Sequence, residues 1–241
     1  MRAFRSFSFK DTNLRVACGL FDELTGEIVA HRRELERYIR RHPAFLDSLV
    51  PLSLLPDAPE AALRMARAAD QVGVGPMAGV AGALAQLGAE KALSLGAEEA
   101  IVENGGDLYI ASNEPVTVGV WSGDGTMPAI AFALEPADLP LSVCSSSSRM
   151  GHSRSFGNCD LATAVAGDAA LADCAATALC NAIGSVDDLE DALKKVGAVP
   201  GIAGLLAVVD GRVGLWGNLP RLIRSDQTDI ATKITRDHRS R

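Results

Sequence analysis

Residues Leu171–Leu179 read LADCAATAL, small and apolar throughout except for Asp173 and Thr177. That composition predicts a buried helix, and a spacing of four residues puts both polar side chains on one face, about one turn apart. Aspartate is a poor helix former, and burying its charge costs several kcal/mol unless something pairs with it. A carboxylate and a hydroxyl presented together suit a hard cation such as Mg²⁺, which keeps waters and takes only one or two protein carboxylates. The same pair also suits a plain structural role, with Asp173 favouring a helix dipole and bonding a nearby backbone N–H.

Upstream of this helix, Leu161–Ala166 (LATAVA) reads as a short strand. Before it, Val143–Asn158 (VCSSSSRMGHSRSFGN) reads as lying outside the core. It is either a mobile surface loop or a loop of hydroxyl and cationic donors gripping a polar ligand. Further back, Asn104-Gly105-Gly106-Asp107 separates a strand over Ala97–Glu103 from one over Leu108–Ala111. The Gly-Gly pair reads as a hairpin turn or bulge, while Asn104 and Asp107 stand where they could face a ligand. Val116–Trp121 and Ala129–Leu134 continue this β-rich middle.

The stretch VGVGPMAGVAGALAQLGAEKALSLG (residues 72–96) predicts a loop at Gly73 and Gly75 and a long helix with Pro76 in its first turn. Gly79, Gly82 and Ala83 leave one side of that helix nearly bare, open to another backbone or a flat ligand. Free N–H groups at its start favour a phosphate. It is not a dinucleotide fingerprint, because the preceding segment reads as helix and the spacing is G-x-G-x-x-x-G.

The remainder is conventional. Residues 3–9 and Asn13–Leu20 predict a hairpin, followed by a helix that ends before Pro43. Ala44–Pro59 reads as an irregular connection and Glu60–Gln71 as a helix. Arg33, Arg37, Arg40 and Arg41 read as a solvated face salt-bridged to Glu34 and Glu36. Val186–Val196 predicts a helix, and Gly201–Val209 with Arg212–Trp216 a hairpin across Asp210-Gly211. Beyond Pro220 the chain turns polar and basic. The reading is α+β: one domain over residues 1–222 and a polar tail over 223–241.

With 241 residues, 48% hydrophobic and 22% charged, the chain can bury a sizeable core, and 5% aromatic content makes that core one of small residues. A net charge of −7 argues against a broad nucleic-acid or anionic-membrane surface. No apolar run reaches the ~18 residues of a membrane span, and the N-terminus has no secretory pattern. Five cysteines without a C-x-x-C pair read as reduced thiols of a cytoplasmic protein. An exposed sheet edge and the Gly-rich helix leave a homodimer open.

Three stretches, in order, resemble the ApbE-like family: Glu103–Asp107 (ENGGD), Cys144–Ser148, and Ala172–Leu179 (ADCAATAL). Its best-known members are Mg²⁺-dependent flavin transferases that split FAD and attach FMN through a phosphoester to a threonine of a target protein. Val74–Ala78 (VGPMA), Val102–Asp107 (VENGGD), Gly151–Gly157 (GHSRSFG) and Trp216-Gly217 resemble more closely the UPF0280 branch of that superfamily, over nearly the whole chain. The resemblance implies a T-fold-like arrangement of antiparallel strands with helices packed on one side. It implies that Asp173 and Thr177 hold Mg²⁺, with a backbone carbonyl near Gly75–Met77 as a third contributor. Gly75, Pro76, Met77 and Ala78 would cradle phosphate. Asn104, Gly105, Gly106, Asp107, Ser145, Ser146, Ser147, Ser148, His152, Ser153 and Arg154 would contact an FAD or FMN ligand, with His152 as a general acid or base. Where the transferases carry G-A-I-A-K-G-x-A-x-D this chain has GPMAGVAGAL, with Gly79 at the lysine and Leu84 at the aspartate. These departures keep a second reading open, a non-catalytic protein binding a flavin, nucleotide or other metabolite. A serine or cysteine nucleophile near His152 is a third, although no G-x-S-x-G elbow is present.

Overall fold

The computed structural model describes residues 2–121, 130–148 and 157–224. The chain opens with the hairpin β1 (Arg5–Phe9) and β2 (Thr12–Cys18), then the long helix α1 (Phe21–Arg41). After α1 comes a single turn, α2 (Ala44–Asp47), which buries Phe45 inside what reads from sequence as an irregular connection. Helix α3 (Glu60–Val72) ends at Gly73, whose φ of +77° supplies the left-handed stop. A 3₁₀ turn over Pro76–Gly79 leads into α4 (Val80–Ser94).

There follow β3 (Ala100–Asn104), β4 (Asp107–Ala111), β5 (Val116–Val120), β6 (Ile130–Leu134), β7 (Leu141–Ser146) and β8 (Leu161–Ala166). Helix α5 (Ala169–Ala182) is the predicted Ala-rich element, capped by Asp168, whose side chain accepts the Leu171 N–H. A 3₁₀ turn over Val186–Asp188 precedes α6 (Leu189–Gly197), then β9 (Ile202–Val209), β10 (Arg212–Gly217) and β11 (Arg221–Arg224).

The described strands form an eight-stranded antiparallel sheet in the order β1-β2-β3-β4-β7-β8-β9-β10, and a three-stranded sheet β11-β6-β5. The period of two sorts side chains between two cores. Leu14, Val16, Val102, Tyr109, Cys144, Ala164 and Leu205 point to the helices. Ala17, Ile101, Ile110, Val143, Val165 and Leu206 point to the small sheet, where they meet Val116, Val118, Phe132 and Leu134. Helices therefore cover one face and the small sheet the other, the α+β architecture expected.

Two sequence readings are corrected. The run from Val143 was placed outside the core, yet Leu141–Ser146 forms β7 in the middle of the large sheet, with Val143 and Cys144 buried. Small residues suit it there, because the Ala-rich α5 lies directly against β7 and leaves little room for bulk. The second correction concerns the polar tail: residues Arg221–Arg224 pair with Ala133–Ile130 as β11, two residues past the boundary drawn at 222. Its partner is far away in sequence, so local composition carries no sign of the pairing. Among the described residues no single helix is long and apolar enough to cross a membrane.

Candidate functional site

The bare side of α4 meets a backbone. A Cβ on Gly82 would stand 2.2 Å from the Ala169 carbonyl oxygen, and one on Gly79 would stand 2.8 Å from Cys174 Sγ. Helix α5 thus crosses α4 at glycine distance, and its Asp173 is brought to the first turn of α4. The Gly82 N–H donates to Asp173 Oδ2 at 2.9 Å, and the Ala81 N–H also donates to this carboxylate. The sequence leaves those N–H groups free for a phosphate; here the chain supplies its own anion, drawn by the orphan donors and the helix dipole.

From the other side comes the β3–β4 hairpin. Gly105 and Gly106 have φ of +68° and +108°, which makes them a tight turn, and the Glu103 side chain accepts the Gly106 N–H at 2.9 Å. Asn104 donates from Nδ2 to the Ala81 carbonyl at 3.1 Å, tying the hairpin to α4. Asp107 lies on the helix side of the sheet, as Tyr109 does. Its Oδ1 accepts the Ser145 N–H at 3.2 Å, and the Cys144 thiol lies beside the same carboxylate.

Two carboxylates thus share one buried region. Asp107 is 7% exposed and Asp173 9%. Burial pushes Asp107 up to about 7 against the N–H and thiol that favour its charge, with Glu103 opposing the charge further. Burial likewise raises Asp173 well above the carboxylate range, and the Asp107 charge adds to that, against the two α4 N–H groups. Among the described residues no basic side chain pairs with either. One turn along α5, Thr177 is 8% exposed as a whole residue, and its hydroxyl makes no hydrogen bond among the described residues. Oxygen donors carrying excess negative charge and one open hydroxyl fit a hard divalent cation.

Other predicted residues are placed as follows. Gly75 accepts the Ala78 N–H and packs on the Ser48 carbonyl, with no space for a Cβ; Pro76 is buried, and Met77 and Ala78 are half-buried against the helix core. Ser145 turns its hydroxyl to the opposite face, where it bonds Thr163 at 2.9 Å, so only its N–H reaches Asp107. Ser146 and Ser147 are buried, and Ser148 Oγ lies 3.3 Å from Cys180 Sγ. His152, Ser153 and Arg154 lie outside the described residues. Sequence reasoning named Asp107 but missed its place beside Asp173 and the Cys144 thiol under it. The available signal was its position at the start of β4, in phase with buried Tyr109 and Ala111.

A family model described as AbpE bacteria matches residues 7–201. A UPF0280 protein of Methanococcoides burtonii is 37% identical over 232 residues, which span 94% of this chain and 98% of that one. One of Methanocaldococcus jannaschii is 38% identical over 227 residues, spanning 90% and 92%. Among solved structures, the flavinyl transferase ApbE of Pseudomonas stutzeri in its apo form matches with TM-score 0.61 and 13% identity, over 91% of this chain and 95% of that one. The flavin transferase ApbE from Vibrio cholerae matches with TM-score 0.59 and 12% identity, over 90% and 96%. At such identities the likeness is one of fold. The chain belongs to the AbpE bacterial family, as a UPF0280 protein of the ApbE-like superfamily.

Proposed function

We propose that this chain is a Mg²⁺-dependent enzyme acting on FAD or a related phosphorylated ligand, as an FMN transferase or an FAD-cleaving enzyme. One observation carries the reading: Asp173 and Thr177 stand one turn apart on α5, both largely buried, and no basic side chain among the described residues pairs with the carboxylate. Family membership and the fold of the flavin transferases support it.

Asp173 and Thr177 would hold the cation, with Asp173 fixed by the first turn of α4. When bound, the cation would neutralise charge on a pyrophosphate. Ser146, Ser147 and Ser148 would donate to the ligand's phosphates, joined by His152, Ser153 and Arg154. The bond broken is the phosphoanhydride of FAD. An acceptor hydroxyl, or water, bonds to the FMN phosphorus, AMP leaves, and the hydroxyl's proton passes to a base such as His152. The partner is a small phosphorylated molecule rather than nucleic acid or membrane, which the net charge of −7 supports. A cytoplasmic setting is supported by five cysteines none of which is in a disulfide. The homodimer stays part of this proposal.

A second reading, a non-catalytic binding protein, is favoured by Gly79 and Leu84. Gly79 has no space for a side chain and Leu84 is fully buried, so neither offers a polar group where the transferases carry lysine and aspartate. Incubation with FAD, with and without Mg²⁺, followed by chromatography of AMP and FMN, separates the two. Mg²⁺-dependent AMP release that Asp173→Ala loses supports the enzyme. FAD retained without product supports the binder, and neither release nor retention rules out FAD as ligand.

A further inference from the structure

The large sheet ends at β10. Strands β9 and β10 turn on Asp210 and Gly211, with φ of +47° and +73°, the two-residue connection of a tight hairpin. One residue past β10, the Asn218 N–H donates to the Ala203 carbonyl at 2.7 Å, and Asn218 is in phase with Arg212, Gly214 and Trp216. Those even-numbered residues therefore bond β9, and the N–H and C=O groups of Val213 and Leu215 point away from it. Among the described residues no strand takes them up. The side chains of Val213 and Leu215 share the face opposite α6 and are 48% and 52% exposed. An apolar pair on an unpaired edge is a liability that single chains avoid. The far edge, β1, is guarded in the usual way, with Arg5, Ser6 and Ser8 at its exposed positions.

We infer that β10 is the docking strand for a second copy of this chain, paired antiparallel about a two-fold axis at Gly214. The register follows from the edge. With the axis at Gly214, Val213 stands opposite the partner subunit's Leu215, and Leu215 opposite the partner subunit's Val213. Each such pair exchanges both backbone hydrogen bonds, which satisfies every outward group of the two residues, and their side chains line one continuous apolar face. On the other face Arg212 comes beside the partner subunit's Trp216, a cation next to an indole. The charge on α6 agrees with this axis. A Cβ on Gly214 would stand 2.5 Å from Leu193, and one on Gly197 2.3 Å from Trp216, so α6 runs along β10 in the strand's own direction. The two-fold sets the two copies of α6 antiparallel and about 10 Å apart, because each lies over both β9 and β10. The acidic first turn of each, Glu190 and Asp191, then faces the basic last turn of the other, which carries Lys194 and Lys195. The inference gives the homodimer its interface and is independent of the cation reading.

The test is sedimentation equilibrium of the full chain, joined to amide hydrogen exchange. The wild type is expected to dimerise with a dissociation constant on the order of micromolar. Val213→Lys and Leu215→Lys should each weaken association at least about tenfold at an unchanged melting temperature, since lysine on an exposed edge blocks strand pairing. The Val213 and Leu215 N–H groups should exchange slowly in the dimer and fast after dilution. A dimer that both lysines leave intact overturns this interface and leaves the homodimer standing. A wild type that stays monomeric to about 0.1 mM overturns both. Slow exchange of the two amides in such a monomer would assign the edge to residues 225–241 of the same chain. A mixture of Val213→Cys and Leu215→Cys chains reads the register. Mild oxidation should link the mixture into dimers, because the unlike pair brings Cα atoms within about 6 Å and the like pairs lie beyond about 7 Å. Linking of either variant alone above the wild-type level, or none in the mixture, overturns the register.

Discussion

The β3–β4 hairpin has an acid at each end, and the protein treats them in opposite ways. At the open end, Glu99 receives Arg2 Nε at 2.8 Å and the Ser112 hydroxyl at 2.6 Å. Burial pushes its carboxyl up, but these donors outweigh burial and hold it below the usual glutamate range. At the turn end, Asp107 has an N–H, a thiol and a second acid nearby, and burial prevails. A base beside one acid, and none among the described residues beside the other, is the difference between a carboxylate whose charge is paired and one whose burial is uncompensated. Family relationship alone would not separate them, since both are carboxylates on one hairpin.

That contrast can be broken at several points. The largest effect is expected from Asp173→Ala, which should reduce Mg²⁺-dependent AMP release from FAD to background while the melting transition survives; chromatography of products checks it. If activity persists, the turn-end acids are structural and the contrast is one of degree. Next is Gly82→Ala, whose methyl would stand 2.2 Å from the Ala169 carbonyl. Forcing α4 from α5 should cost about 3 kcal/mol by urea denaturation, because the two nearest atoms are backbone atoms of Ala169. Since the same crossing holds Asp173, divalent-ion affinity should fall too.

Smaller, and selective for the turn end, is stabilisation by the ion itself. Mg²⁺ at one hundred times its dissociation constant should add about 2.7 kcal/mol to wild-type stability, read as a shifted urea midpoint, and nothing to Asp173→Asn. Arg2→Ala should leave this response intact. The smallest effect belongs to the open end. Arg2→Ala should cost about 0.5 kcal/mol near neutral pH, since the pair is only part-buried, with Arg2 18% and Glu99 26% exposed, and solvent still screens it. The sign follows from the depressed Glu99 value: its stabilisation is present above the ordinary value of 4.5 and is lost as pH falls through the lower folded value. Wild type and Arg2→Ala should therefore converge in acid, which urea melts at a series of pH values would show.

Much of this was legible in the chain. LADCAATAL could be read as a buried helix because alanines bury without entropy cost and leave no polar face for water. The Gly-Gly turn could be read because only glycine takes two consecutive positive φ values easily. The tetrad of serines misled, because a strand pressed between an Ala-rich helix and a second sheet needs small residues, and serine is small before it is polar. Ser145 and Thr163 settle their hydroxyls on each other, a pairing visible only once β7 and β8 are side by side. The site was half legible. Asp173 and Thr177 share a helix, so their relation is local. The Gly82 N–H that positions Asp173 is 91 residues away, and the neighbourhood of Asp107 depends on three elements meeting.

The residues that border the 149–156 segment are joined at its base. The Ser148 N–H donates to the Cys159 carbonyl at 3.0 Å, the Asn158 N–H donates to Ile183, and Gly157 sits against the Cys180 carbonyl. The cost of bringing two points of a chain together is met at those anchors and grows only slowly with the length between them. A change in the number of residues between those anchors should therefore leave the resistance to unfolding close to where it was.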